Sequence, residues 1–283
     1  MLSLKYKNQA GEICFSGGGD SPLRITAING LSLAEREYTS ASYAGYDGQE
    51  TVSARFLPRT ITISGDVLSV CARDVLRNMI NVLADGGYLY ITDGDVRRRI
   101  FCNQTIFPDA ERILRGKLAT FAVQFVCDNP FFEDAEETEL ALYRRTKNLA
   151  SPFALPTMFG ETVAGATIFV DGRGGIEPII TLHFSKDIES ESAIMISNIT
   201  TGETIELKHS PVSGEEITID IKNRTAISSV SGNVLKSLTD ESFLGRFMLE
   251  AGKNEISVSA GAVTLGITVK CTYNNKFLEC VVI

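Results

Sequence analysis

Apolar and polar residues alternate over short runs along most of the chain, the period of a half-buried β-strand. In the first third these runs are Ser3–Tyr6, Leu23–Leu33 and Thr60–Val67. Leu23, Ile25 and Ala27 share a face until Asn29-Gly30, a turn pair. Ile61 and Ile63 share a face of the next run, which Gly65 is expected to end. Tyr88–Ile91, the type I′ turn dipeptide Asp93-Gly94 and the returning run Val96–Phe107 read as a hairpin. Leu118–Val126 is the most regular run, with Phe121, Val123 and Phe125 as its heavier, core-facing set, and Cys127-Asp128-Asn129-Pro130 stops it. Arg36–Tyr46 carries Tyr38, Tyr43 and Tyr46 among small residues and reads as a mobile loop or arm.

One segment has the helical period instead. Ala72, Val75, Leu76, Met79, Ile80 and Leu83 recur at i, i+3, i+4 spacing, predicting a helix over Ala72–Ala84 that lays one stripe on a sheet. Ser69 is placed to cap its start, and Gly86-Gly87 is a stop signal at its end.

Past residue 132 the pattern changes. Phe131 and Phe132 read as the last anchors of a first domain. Glu133–Tyr143 holds five acidic residues and reads as solvated, and Lys147–Val163, with Pro152 and Pro156, completes a connection. From Ala164 onward the runs are short and about ten residues apart. They are Thr167–Val170, Ile179–Phe184, Ala193–Asn198, Glu203–Leu207, Glu216–Ile221, Thr225–Ser229, Arg246–Leu249, Asn254–Ser259 and Thr264–Tyr273. Many short strands at this spacing predict a β-sandwich or jelly roll. The expected organisation is therefore mainly β: an N-terminal β-rich domain over 1–135 with one helix at 72–84, a junction over 136–163, and an all-β domain over 164–283. A length of 283 residues suits two domains at roughly 150 residues each.

Composition narrows the function classes. There are 27 basic against 35 acidic side chains, a net charge of -8. Residues 1–135 hold 14 basic and 16 acidic residues, and 136–283 hold 13 and 19. Neither half has the basic excess that gripping phosphate backbones or anionic membranes requires. No apolar stretch approaches the roughly 20 residues of a spanning helix, and Met1–Ala10 has no signal-peptide core, so folding in a reducing cytoplasm is expected. Cys14, Cys71, Cys102, Cys127, Cys271 and Cys280 form no C-x-x-C pair and are expected as six buried thiols, a Cys271–Cys280 disulfide being the alternative.

Candidate chemistry is sparse. His183 and His209 share no partner motif and read as structural or surface residues. Gly17-Gly18-Gly19-Asp20 lacks the Gly-Lys-Ser/Thr ending of a phosphate loop, and a calcium loop opening at Asp93 would need Glu where Gln104 stands. Arg97-Arg98-Arg99 is the one basic cluster. On a strand, Arg97 and Arg99 share a face and Arg98 takes the other, with Asp93 and Asp95 near at hand as partners. The paired carboxylates of Glu133–Glu139 lack an enclosed site. No catalytic, cofactor-binding or metal-ligating residue is assigned, and no cofactor is expected.

Read in order, several motifs resemble the distal tail protein family of long-tailed, non-contractile phages and prophages. They are Arg59-x-Ile61-x-Ile63-x-Gly65 before the helix, Cys127-Asp128-Asn129-Pro130-Phe131-Phe132 closing the first half, Gly175-x-x-Pro178-x-Ile180, and Thr201-Gly202-Glu203-x-Ile205. Glu216-Ile217-x-Ile219-Asp220 and Phe247-x-Leu249-x-x-Gly252-x-Asn254-x-Ile256 follow. The resemblance implies an N-terminal domain that forms a homohexameric ring around the tail channel and a galectin-like C-terminal β-sandwich. It implies as partners the tail tube protein, the tail-tip protein and a receptor-binding protein, and a place at the tail tip of the virion. DNA would pass the channel without being specifically bound, and the arginine triplet would then sit at subunit contacts or on the outer side. A structural ring adaptor without catalysis is the reading preferred here. A carbohydrate- or receptor-binding β-sandwich is the alternative, against which stands the absence of Trp, and an enzyme such as a glycosidase lacks its constellation.

Overall fold

The computed structural model describes residues 2–15, 21–45, 47–68, 72–107, 118–146, 161–187, 192–259 and 266–280. Twelve elements build the first part of the chain. They are β1 (Ser3–Lys7), β2 (Glu12–Cys14), β3 (Leu23–Asn29), β4 (Arg36–Ala41), β5 (Glu50–Phe56), β6 (Arg59–Leu68), α1 (Ala72–Leu83), β7 (Gly87–Asp93), β8 (Val96–Cys102), β9 (Gln104–Ile106), β10 (Leu118–Cys127) and β11 (Phe132–Asp134). The second part holds β12 (Thr138–Thr146), β13 (Glu161–Val170), β14 (Ile179–Phe184), β15 (Ser192–Asn198), β16 (Glu203–His209), β17 (Glu216–Asp220), β18 (Thr225–Ser228), β19 (Gly232–Asn233), β20 (Gly252–Ser259), β21 (Ile267–Tyr273) and β22 (Lys276–Phe277). The fold is mainly β, with α1 as the one α-helix among the described residues. Two units result, Met1–Ala135 with Phe277–Ile283, and Glu136–Lys276.

In the first unit a six-stranded sheet, ordered β2-β1-β7-β8-β11-β22, and a four-stranded sheet, ordered β3-β6-β10-β9, enclose one core. Leu4, Tyr6, Leu89, Ile91 and Ile100 from the first sheet meet Ile61, Ile63, Phe121, Val123 and Phe125 from the second. The strict alternation in β10 thus does what the sequence predicts. Gly65, however, does not end its strand. β6 runs on to Leu68, with Gly65 opposite Phe121 of β10 and Ile25 of β3. A Cβ at Gly65 would lie 2.3 Å from the Arg24 carbonyl oxygen and 2.8 Å from the Phe121 ring, so the glycine admits the ring and the neighbouring strand. The return run Val96–Phe107 also divides, β8 staying in the first sheet and β9 joining the second. The two-residue hairpin loop is Gly94-Asp95, since Asp93 pairs with Val96.

The helix ends at Leu83, and its buried face is rotated from the predicted one. Met79, Val82 and Leu83 are buried, Val75 and Leu76 half-buried, and Ile80 is 51% exposed. At about 100° per residue, Ile80 lies a full step round from Met79, outside the stripe that meets β6 and β2. Ser69, the predicted N-cap, lies outside the described residues. At the other end Asn8 Nδ2 donates to the Val82 carbonyl at 2.6 Å, and Tyr6 Oη donates to the Asp85 carbonyl at 2.6 Å. Burial pushes the Tyr6 phenol up to about 12, so it stays a donor at neutral pH. Gly87 opens β7 where a Cβ would come within 2.6 Å of the Lys7 carbonyl oxygen. Close approach to β1, rather than a left-handed cap, is the reason for that glycine.

The second unit is a ten-stranded sheet, ordered β16-β15-β20-β13-β12-β21-β14-β17-β18-β19, that curls onto itself. β13 is the corner. Glu161–Ala164 pairs with β12, and Gly165–Val170 pairs with β20. Gly165 takes φ +146° there, and a Cβ would lie 2.5 Å from the Ile256 carbonyl oxygen. The two layers share a core, with Ile194, Ile196, Ile205 and Leu207 on one side and Ile180, Leu182, Ile217 and Val269 on the other. Glu133–Tyr143, read from its acids as solvated, supplies β11 and much of β12, with Leu142 and Tyr143 buried. Arg246–Leu249 is not a strand. Leu244–Arg246 is a 3₁₀ turn, and Leu249 exchanges backbone hydrogen bonds of 2.9 and 3.0 Å with Ile176. The buried side chains of Asn198 and Asn254 hold this segment by donating to the Met248 and Glu250 carbonyls at 2.9 and 2.7 Å.

The cysteines divide between the cores. Cys102, Cys127 and Cys280 are buried in the first unit and Cys271 in the second, all as free thiols. Burial pushes Cys271 and Cys280 each up to about 12. Cys14 is exposed, against expectation, and Cys71 lies outside the described residues.

Candidate assembly surface

His183 is exposed on β14, in register with Glu216 of β17. His209 has the partner that the sequence did not reveal. Its Nε2 lies 2.9 Å from Oε1 of Glu215, which is only 1% exposed. Ser228 Oγ donates to the same oxygen at 2.5 Å, and the Val212 amide donates to Oε2 at 2.9 Å. In a nucleophilic triad a base faces the hydroxyl. Here the carboxylate stands between hydroxyl and imidazole, and the amides of Val230 and Ser231 donate to Ser228 Oγ at 3.0 and 2.9 Å. The cluster ties β16, the 210–215 turn and β18 together.

Burial alone would raise the pKa of Glu215, but the bonds from Ser228, the Val212 amide and His209 outweigh it and hold the carboxyl below the ordinary range. Its stabilising contribution is therefore complete above the unfolded-state value of about 4.3 and is lost as the pH falls through the lower folded value. Glu215→Ala should cost about 3 kcal/mol at pH 7, one for each orphaned donor. In urea titrations the gap between variant and wild type should narrow as the pH is lowered through the carboxylate range; a gap that stays constant would contradict the assignment.

Arg97, Arg98 and Arg99 split as strand geometry requires. Arg98 packs on the Phe277 ring at 3.8 Å and donates to the Glu279 carbonyl. Arg99 stacks over Tyr88 at 4.8 Å and lies 3.6 Å from the Glu133 carboxylate, so β11 supplies an acid to the triplet. Arg97 is exposed.

Arg59 is the cation the sequence did not single out for a role. It is 4% exposed and has no carboxylate partner among the described residues. Its Nε donates to the Pro130 carbonyl at 2.8 Å, Nη1 to the Gly30 carbonyl at 2.6 Å and to that of Ser32, and Nη2 to the Leu278 carbonyl at 2.6 Å. The guanidinium lies 4.5 Å over the Phe132 ring. Burial lowers its pKa from the free value.

Among the described residues nothing covers a β-ribbon. Arg36–Tyr46, read as a mobile loop, supplies β4, which pairs with β5 in a two-stranded sheet of its own; Tyr46 lies outside the described residues. Every residue of β4 and β5 is exposed except Ala41 and Phe56, which are half-buried. Tyr38 is 60% and Val52 65% exposed. At the base, Arg36 stacks over Phe56 at 4.8 Å, and Phe56 meets Phe131 edge-on at 5.6 Å. Arg55 pairs with Glu37 across the strands at 2.6 Å. An isolated two-stranded ribbon is marginal in water, and its outer edges present unpaired backbone groups.

Among the described residues no group of His, Cys, Asp or Glu is arranged to hold a metal ion, and no helix is long and apolar enough to cross a membrane. Comparison with known proteins adds the context. Residues 171–277 match the family model of the siphovirus-type tail component, C-terminal domain. No curated protein matches the sequence. The fold is similar to that of the Dit protein of phage SPP1, described as a paradigm of hub adsorption apparatus in phages infecting Gram-positive hosts. The TM-score is 0.68 at 12% identity, over 98% of this chain and 99% of that one. A chain of the phage p2 baseplate in its activated conformation with strontium is also similar, with a TM-score of 0.52 at 11% identity. One from the calcium form gives 0.50 at 12%, and each covers 96% of this chain and 98% of its own. The resemblance to distal tail proteins drawn from the sequence is borne out in the C-terminal match and in the fold of the whole chain.

Proposed function

We propose that this phage tail component acts as a distal hub: a structural ring, a homohexamer, joining the tail tube protein to the tail-tip apparatus of the virion. The observation that carries the ring is the ribbon β4–β5, exposed on both faces and paired only with itself. A closed ring needs two different patches on each subunit. A ribbon supplies one of them in a form that a neighbouring sheet edge or apolar surface takes up by strand addition. The second unit, a curled β-sheet around its own core, is the part we assign to a tail-tip or receptor-binding protein. The reading is one of scaffold rather than catalyst, because the buried His209–Glu215–Ser228 cluster is saturated by its own hydrogen bonds. A net charge of -8 and the internal engagement of Arg98 and Arg99 suit a channel that passes DNA without holding it.

The test is the mass of the full-length chain by light scattering over a range of concentrations, with ring images by negative stain. The wild type is expected to assemble, and the pair Tyr38→Asp with Val52→Asp to remain monomeric with an unchanged thermal midpoint. A wild type that stays monomeric at high concentration, or a variant that still closes rings, would overturn the proposal.

A further inference from the structure

The second unit carries an open groove of about 590 Å³ whose chemistry differs from the rest of this acidic chain. Arg224 and Arg246 line it, together with Leu235, Phe243, Asp240 and Ser242. Among the described residues neither guanidinium takes part in an ion pair. The site is built rather than incidental. Arg224 holds φ +55°, the one non-glycine residue at positive φ among those described, a left-handed conformation that L side chains disfavour. Its turn is locked by Asp220, whose carboxylate accepts from the Asn223 backbone and side chain at 2.8 and 2.7 Å. Gly245 gives the Arg224 side chain its place, since a Cβ there would come within 3.2 Å of Nε. Ser242 Oγ accepts from the Glu206 amide at 2.9 Å, and the Thr239 amide donates to the Glu206 carbonyl at 3.0 Å, so the far wall is fastened to β16.

The geometry points to this groove as a docking site for an acidic peptide segment of another protein, one in which carboxylates alternate with apolar side chains. Two guanidiniums on one concave surface fit carboxylates, which they engage bidentately. Leu235 and Phe243, 42% and 53% exposed, offer apolar contact beside them. A sugar would want a free aromatic platform, but Arg246 covers the Phe243 ring at 4.9 Å. Asp240 sets the specificity, since it repels a carboxylate placed on its side of the groove. This inference stands apart from the ring reading and does not need it.

The test uses the full-length protein and a fluorescein-labelled hexapeptide alternating Glu and Leu, followed by anisotropy. The Gln–Leu counterpart and polygalacturonate serve as competitors. The acidic peptide is expected to bind, with an affinity that falls with salt. Arg224→Gln and Arg246→Gln should each weaken it about tenfold, and Asp240→Asn should strengthen it. Slowed amide exchange across residues 235–246 on adding peptide gives a readout that needs no variant. Equal binding of the Gln–Leu peptide, unchanged binding in a folded Arg224/Arg246 double variant, or binding of polygalacturonate but not of the acidic peptide would each overturn the assignment.

Discussion

Replacing Arg59 by methionine should lower the stability of the first unit by about 4 kcal/mol, one for each of the four carbonyls it serves. Methionine keeps most of the stem's volume and removes every donor, so the loss reads the hydrogen bonds rather than the packing. Lysine restores the charge but not the fork, and should recover only part of the loss. Urea unfolding is best followed with probes in each unit, because two units need not unfold together. The transition of the first unit should move to lower urea and that of the second should not. A loss below about 1 kcal/mol would mean that water replaces the guanidinium at little cost.

Phe125→Ala should cost about 3–5 kcal/mol, because the side chain is fully buried. Its ring lies 5.2 Å from that of Tyr6 and 6.0 Å from that of Phe15, bridging the two sheets of the first unit. Phe125→Leu should cost clearly less. Calorimetry or urea titration decides, and equal losses for the two substitutions would show that cavity volume does not set the cost at this site.

These two residues also mark the limits of what the sequence discloses. Phe121, Val123 and Phe125 are legible because the period of a strand is two and the pattern repeats without interruption. Most strands of the second unit are legible for the same reason, turn residues punctuating them about every ten positions. The phase of α1 is less so: Val75, Leu76, Met79, Ile80 and Leu83 satisfy helical spacing, yet the stripe is narrower than that set, and only packing tells that Ile80 falls outside it. Gly65 reads as a strand end because the space it leaves for Phe121 belongs to a strand some sixty residues away. The contacts of Arg59 cannot be read at all, since its acceptors are backbone carbonyls, which carry no residue identity. Glu215 is one acid among 35 until the turn brings Ser228 and His209 to it. The groove at Arg224 is hidden for a related reason: its walls come from two turns, and turns lack the periodicity that makes strands visible.

The first unit is discontinuous in the chain, and that bears on synthesis. Arg59 bonds Leu278, 219 residues on, and the Cys280 amide donates to the Leu31 carbonyl at 3.2 Å. A ribosome therefore delivers every residue of the second unit before the last pieces of the first. The later unit is free to fold while the earlier one waits with an arginine pocket open, reversing the usual amino-to-carboxyl order of domain completion. Contacts of such sequence separation form slowly, so full closure of the first unit should follow synthesis of the second. The core of the first unit is therefore completed by the residues that leave the ribosome after the whole of the second unit.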